Sequence, residues 1–199
     1  LKICGRRASR FESGCEYQIR KVSYMSDTWV ISDTHFNDEP LLGFFDASGS
    51  LIRSFDSVKQ MNEAMLDNWA DTVKVDDIVY HLGDVVCGED QSEWLAANFA
   101  KLPGKKRLVI GNRDNPKTLL PYFEHIMMWE VNFPKLLLSH TSQHPDTIAQ
   151  KSRFSKQSIL NIHGHIHSNP SPEGPYRCVC VEHTDYTPVN IDELMKHLD

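Results

Sequence analysis

Apolar runs four or five residues long, each halted by glycine or a polar group, recur along this chain: residues 28–32, 78–81, 107–110, 135–138 and 159–162 all read as buried strands. Between the first two, Val58, Met61, Met65, Trp69 and Val73 step by three and four, which predicts an amphipathic helix whose stripe belongs to the core. Asp90 followed by Glu93 predicts a capped helix to about Lys101, with Trp94, Leu95 and Phe99 facing inward. Further strands are predicted over 177–182 and 187–191, and a closing helix over 193–198. Residues 36–57 and 141–158 show no regular pattern, so both are expected as loops and as walls of a pocket. The turn at Pro103-Gly104 places Lys105, Lys106 and Arg107 in a solvated loop. Strands that alternate with helices, followed by a strand-rich second half, predict a layered α/β sandwich.

Residues 1–24 carry neither periodicity. They are expected to lie outside the fold, as a flexible tail, a cloning remnant, translation from an upstream start, or an arm for an anionic partner. The domain proper then spans 25–199. This segment holds six Lys/Arg against two acids, so the formal charge of -6 understates how acidic the remainder is. An acidic domain disfavours a nucleic-acid backbone binder, though it leaves a nucleic-acid substrate open, and acids gathered for cations would account for the excess. Nothing approaches the roughly 20 apolar residues of a membrane span, and no leader pattern is visible, so the expectation is a cytoplasmic protein without membrane contact. The five cysteines are an odd count without a disulfide framework. Cys178 and Cys180 alternate along a predicted strand and read as small apolar residues on one face.

Metal-capable residues sit where the strands run out. Asp33-Thr34-His35, Gly83-Asp84, Gly111-Asn112-Arg113-Asp114, Ser139-His140 and Gly164-His165-Ile166-His167 each follow an apolar run. Strand ends on an α/β scaffold are where ligands gather. Mixed carboxylate, amide and imidazole donors suit manganese, iron, nickel or zinc better than calcium. Seven donors (Asp33, His35, Asp84, Asn112, His140, His165 and His167) exceed the needs of one ion and suit two. Any one fragment is a weak signal, but the ordered set is strong.

These five fragments, in this order, resemble the calcineurin-like metallophosphoesterase superfamily, whose signature is D-x-H, G-D, G-N-[HDC]-[DE], H and G-H-x-H. Residues 102–114 and Tyr186-Thr187-Pro188-Val189 are also similar to small bacterial and phage members. The resemblance implies a four-layer α/β/β/α sandwich and a metal-dependent phosphoesterase. It implies that Asp33, His35 and His167 hold one divalent ion, manganese foremost, and that Asn112, His140 and His165 hold a second, with Asp84 between them. A hydroxide shared by the two ions would then attack a small phosphomonoester or phosphodiester, a nucleotide derivative included.

Asn112, Arg113 and Asp114 are the candidate catalytic residues. Arg113 departs from the histidine that many members carry. Arginine is not a useful proton donor, so Arg113 either grips a phosphate oxygen or merely pairs with Asp114. His163, inside a predicted strand, reads as a core histidine, and His144 could reach substrate. The alternative to an enzyme is a silent scaffold of the same fold, a reading that the filled ligand positions disfavour. The substrate, the native metal and the oligomeric state are open on the sequence alone.

Overall fold

The computed structural model describes residues 26–130 and 135–196, so the basic segment 1–24 lies outside the described residues. Strands β1 (Thr28–Ile31), β2 (Ile78–His81), β3 (Lys105–Val109) and β4 (His125–Met127) run parallel to one another. A second sheet has the order β5-β6-β7-β8, from β5 (Trp129–Glu130), β6 (Leu136–Ser139), β7 (Leu160–His163) and β8 (Tyr176–Cys178). Here β6, β7 and β8 are parallel, and β5 is antiparallel. Strand β9 (Val189–Asn190) returns to the first sheet, antiparallel beside β1.

Parallel strands buried on both faces explain the unbroken apolar runs. Along each strand, alternate residues feed different cores. Ile31, Val79 and Leu108 face Met61, Met65 and Trp69 of helix α1 (Val58–Thr72), together with Leu95 of α2 (Gln91–Ala97) and Leu119 of α3 (Pro116–Leu119). On the opposite face, Val30, Tyr80 and Val109 meet Leu136, Leu138, Leu160 and Ile162, which closes the two sheets on each other. Leu137, Ile159 and Tyr176 form a third cluster with Ile148 of α4 (Pro145–Ser155). Three cores between helix, sheet, sheet and helix make the four-layer sandwich that the resemblance implied. The short helix α5 (Ile191–Met195) adds Ile191 to the core between the sheets.

Several local expectations are corrected. Asp90 is left-handed (φ 53) and makes no side-chain cap, so α2 starts without the predicted box and gives way to a 3-10 turn at Phe99–Lys101. Lys105–Arg107 is strand rather than solvated loop: Lys106 is buried, its ammonium pK lowered by burial, with Nζ donating to Leu102 O. The strand expected over 177–182 stops at Cys178, and Val181–His183 is a 3-10 turn. Residues 141–158 contain α4, a helix missed because its apolar stripe is thin; His144 caps it by accepting from Asp146 N at 3.2 Å, rather than standing free for substrate. Residues 36–57 are irregular, with a 3-10 turn at Glu39–Gly43, yet Phe36 is fully buried. No helix among the described residues is long and apolar enough to cross a membrane.

His81 ends β2 inside the first core, stacked on Trp69 and fully buried. Its Nδ1 accepts from Gly83 N at 3.2 Å, which leaves Nε2–H to donate to Thr34 Oγ1 at 3.0 Å. Burial therefore favours the neutral ring and lowers its pK from 6.5 to about 3. A depressed pK means stability that is present above pH 6.5 and is lost as pH falls toward 3. Denaturant titrations between pH 6.5 and 4 are expected to lose stability from this group at about 1.4 kcal/mol per pH unit. His81→Asn, less stable overall, should show a slope shallower by that amount; an identical slope would refute the assignment.

Candidate metal centre

The C-terminal ends of β1, β2, β3, β6 and β7 share one rim and deliver the predicted donors in turn. The two sheets touch there through a parallel bridge between Ser32 and Cys180: Ser32 N donates to Val179 O at 3.0 Å and Val181 N to Ser32 O at 3.1 Å. The turns are tight. Asp33, His35, Asp84, His165 and His167 all have positive φ, between 47° and 74°. Such conformations cost about 1–3 kcal/mol each outside glycine and persist only where the surroundings enforce them. Glycines make room for this crowding: a Cβ on Gly83 (φ +98) would strike the Gly111 backbone and the His140 ring, and one on Gly164 would strike Ser32 and Asp33.

Six of the seven predicted donors fall into two groups. Asp33, His35 and His167 offer ligand atoms within 4.8 Å of one another, and so do Asp84, His140 and His165. Asn112 Oδ1 joins the second group, 2.9 Å from His140 Nε2. Asp84 stands between them, with Oδ2 3.6 Å from His35 Nε2 and 3.6 Å from His140 Nε2.

The donor atoms fit cations. Asp33 Oδ1 and His35 Nε2 are buried, 3.8 Å apart, and have no hydrogen-bond partner, although orphaned buried polar atoms are rare. In the second group, His140 Nδ1–H donates to Leu82 O at 2.7 Å, which turns its Nε2 toward Asn112 Oδ1 at 2.9 Å and His165 Nδ1 at 3.2 Å, so that three metal-capable atoms converge. Burial opposes charge on His35, but Asp33, Asp38 and Asp84 raise its pK to about 12, collecting on the ring a positive charge that a metal would supply instead. Burial also works against an ionised Asp33, yet His35, His140 and the donors Ser32 and His165 N hold its carboxyl below the usual range.

A profile of the calcineurin-like phosphoesterase family matches residues 27–197. The chain belongs to the calcineurin-like phosphoesterase family. It is 28% identical over 182 residues to the uncharacterized protein MJ1445 of Methanocaldococcus jannaschii, covering 88% of this chain and 93% of that one. It is also 28% identical over 170 residues to the Gene 66 protein of Mycobacterium phage L5, covering 72% and 79%. The crystal structure of AQ665 from Aquifex aeolicus, a protein of unknown function, superposes with a TM-score of 0.66 at 29% identity, covering 86% of this chain and 99% of that chain. Family membership supports a hydrolase acting on phosphate esters.

This phosphoesterase surrounds its donors with residues that the motifs did not signal. Asp38 Oδ2 accepts from His35 Nδ1 at 2.9 Å, and Glu182 Oε1 accepts from His167 Nδ1 at 2.9 Å. Arg53, 1% exposed, donates from Nε to Glu182 at 2.8 Å, from NH1 to Thr34 O at 2.8 Å, and from NH2 to Asp33 O. Cys180 is not an inert apolar residue: Cys178, burial and Asp33 raise its pK, and the protonated thiol donates to Asp33 Oδ2 at 3.3 Å. Only Arg53 had a legible trace, as a lone cation among apolar neighbours in an otherwise irregular stretch.

Asp114 does not face the donors, and its expected catalytic part becomes a positioning one. Its carboxylate accepts from the backbone N–H groups of Asp84 (3.0 Å), Val85 (2.9 Å) and Gly111 (2.8 Å), tying the Gly-Asp turn to the Gly-Asn turn. Nor does Arg113 pair with Asp114: its guanidinium, 49% exposed, lies 3.6 Å from Asp38, and its backbone N–H donates to Asp84 Oδ1 at 2.9 Å. His163 is fully buried, with Nδ1 donating to Gly164 O at 3.0 Å, as a core histidine should. Asp114→Asn keeps the shape but replaces one acceptor by a donor, and is expected to cost about 1–3 kcal/mol. Urea denaturation of the metal-free protein measures this, and a loss near zero would contradict the tie.

Proposed function

We propose that this phosphoesterase hydrolyses a small phosphomonoester or phosphodiester at a centre for two divalent cations, and the single Asp84 oxygen that lies 3.6 Å from a histidine nitrogen of each donor group is what carries the reading. On it, Asp33, His35 and His167 would hold one ion, and Asn112, His140 and His165 the other, with Asp84 placed between the two groups. When bound, the ions supply Lewis acidity that makes water nucleophilic near neutral pH and takes up charge on the phosphoryl oxygens. Manganese fits the oxygen-and-imidazole set best, with iron, nickel and zinc as alternatives.

The protein's own groups arrange the ester. Asn112 and His165 are exposed at the mouth, so the second donor group is where a substrate enters. Arg113 beside them is free to swing from Asp38 and hold a phosphoryl oxygen through two N–H groups, orienting the ester without moving a proton. No imidazole stands at position 113 to protonate the departing oxygen, so esters with good leaving groups should turn over fastest. A small phosphate ester is the favoured substrate, and the net charge of -6 disfavours a nucleic acid while leaving it open. A cytoplasmic setting remains part of this proposal.

Turnover of a chromogenic aryl phosphodiester with added manganese tests the reading. Asp84→Ala should abolish it by more than about 100-fold, since even the partners of ligands cost about 10–100-fold, while the circular dichroism spectrum is retained. No turnover by the unaltered protein with any divalent ion would favour the silent scaffold. Across a leaving-group series, Arg113→His should flatten the dependence of rate on leaving-group pK; an unchanged slope would clear position 113 of any part at that end of the reaction.

A further inference from the structure

Two sulfurs and an imidazole lie beside Asp33 and belong to neither donor group. Cys178 ends β8, and Cys180 follows two residues on, where the chain leaves the strand to bridge Ser32. Cys178 Sγ accepts from Cys180 N at 3.5 Å, and the two thiols share a hydrogen bond. His183, on the 3-10 turn that follows, hydrogen-bonds Cys178 as well, and its Nε2 donates to Asn169 O at 3.0 Å. Exposure separates the sulfurs: Cys180 is fully buried and Cys178 half-buried, so a small reagent in solvent meets Cys178 first. The hydrogen bond from Cys180 outweighs burial and, with His183, lowers the Cys178 pK to about 5. Thiolate character together with access is what makes a cysteine nucleophilic.

The single S–H of Cys180 lies between two acceptors, the Cys178 sulfur and, at 3.3 Å, Asp33 Oδ2. Joining the sulfurs would take this donor from the carboxylate, leaving Ser32 Oγ and His165 N on that oxygen. Geometry adds a pull. Two residues along an extended chain place their Cα atoms about 6.6 Å apart, near the upper limit of about 6.8 Å for a disulfide. Closing the bond must therefore draw Cys180 toward Cys178 and away from the seam with Ser32. A disulfide under such strain is also easily reduced.

We propose that Cys178 is a site of reversible oxidation by hydroperoxides, that Cys180 resolves it, and that the resulting disulfide withdraws Cys180 from Asp33 and lowers turnover. The Cys178 thiolate attacks the O–O bond: its sulfur is oxidised to the sulfenic acid, and the peroxide is reduced to an alcohol or water, with solvent supplying the proton. The Cys180 sulfur then attacks the sulfenic sulfur. The S–S bond forms, the S–O bond breaks, and hydroxide leaves with the Cys180 proton as water. The effect on turnover rests on the phosphoesterase reading above; the thiol chemistry does not.

Both cysteines fall in one tryptic peptide, residues 178–196, so its mass reports the chemistry directly. The full chain with manganese is treated with hydrogen peroxide, and the remaining thiols are alkylated. This peptide should lose two hydrogens and take up no alkyl group, and dithiothreitol should reverse both results. Turnover of the chromogenic diester should fall at least about tenfold, as for other partners of ligands, and recover with dithiothreitol. Cys178→Ser, which leaves the bond from Cys180 to Asp33 in place, should keep its basal activity and resist peroxide; if it melts early, Cys178→Ala replaces it. Three results overturn the inference and leave the phosphoesterase reading standing: a peptide that stays dithiol while other cysteines oxidise, a disulfide that leaves turnover unchanged, or a Cys178→Ser variant as sensitive as the unaltered protein. Absence of turnover before peroxide overturns that reading instead, and the peptide mass, with manganese affinity in place of turnover, still decides this one.

Discussion

A carboxylate removed from water must be compensated, and Asp33 is the point where this protein meets that constraint. The residue is fully buried at the seam of the two sheets. One of its oxygens accepts from Ser32 Oγ, His165 N and Cys180 Sγ, which tie it to both sheets, while the other is bare. Burying a charge is strongly unfavourable unless hydrogen bonds and opposite charges compensate it. The surrounding histidines and the cations they can gather are what make the site consistent with a folded chain. The neighbouring features follow: the left-handed turns that bring Asp33 and His35 inward, the glycines that let backbones approach, and the guanidinium of Arg53 gripping the turn from behind.

Much of this was legible in the sequence because two different constraints wrote it in residue types. Burial on both faces leaves uninterrupted apolar runs, so β1, β2, β6 and β7 were placed to within about a residue. Close approach leaves glycine before Asp84, Asn112 and His165, and the polar end of each apolar run marks Asp33 and His140, so the order Asp33, Asp84, Asn112, His140, His165 stood out. The grouping of donors was not visible in spacing. It came from the resemblance and agrees with the distances among them.

What was not legible depends on partners far apart in the chain. Glu182 meets Arg53 across 129 positions, and although Arg53 stands out as a lone cation in its stretch, nothing local says which group it meets. Residues 177–182 alternate like a strand, but the chain turns after the bridge at Cys180, because hydrogen bonds with Ser32 replace the strand ladder. Lys106 looked solvated because charge usually is; its ammonium is instead satisfied by carbonyls at the end of the preceding turn. Helix α4 was missed since Ile148 is its only buried residue.

The placement of every donor at one end of the parallel strands leaves the other end with separate duties. There, Asp77 gathers Trp29 Nε1, Asp27 N and Lys74 N, and the Gly104 turn packs over Val73 and Val79, a purely architectural rim. Chemistry and assembly are thus divided between opposite poles of the same sheets. Peptide insertions or fused domains grafted beyond the Asp77 pole would burden folding without reaching the reaction, whereas the pole of Asp33 tolerates little besides what it already has.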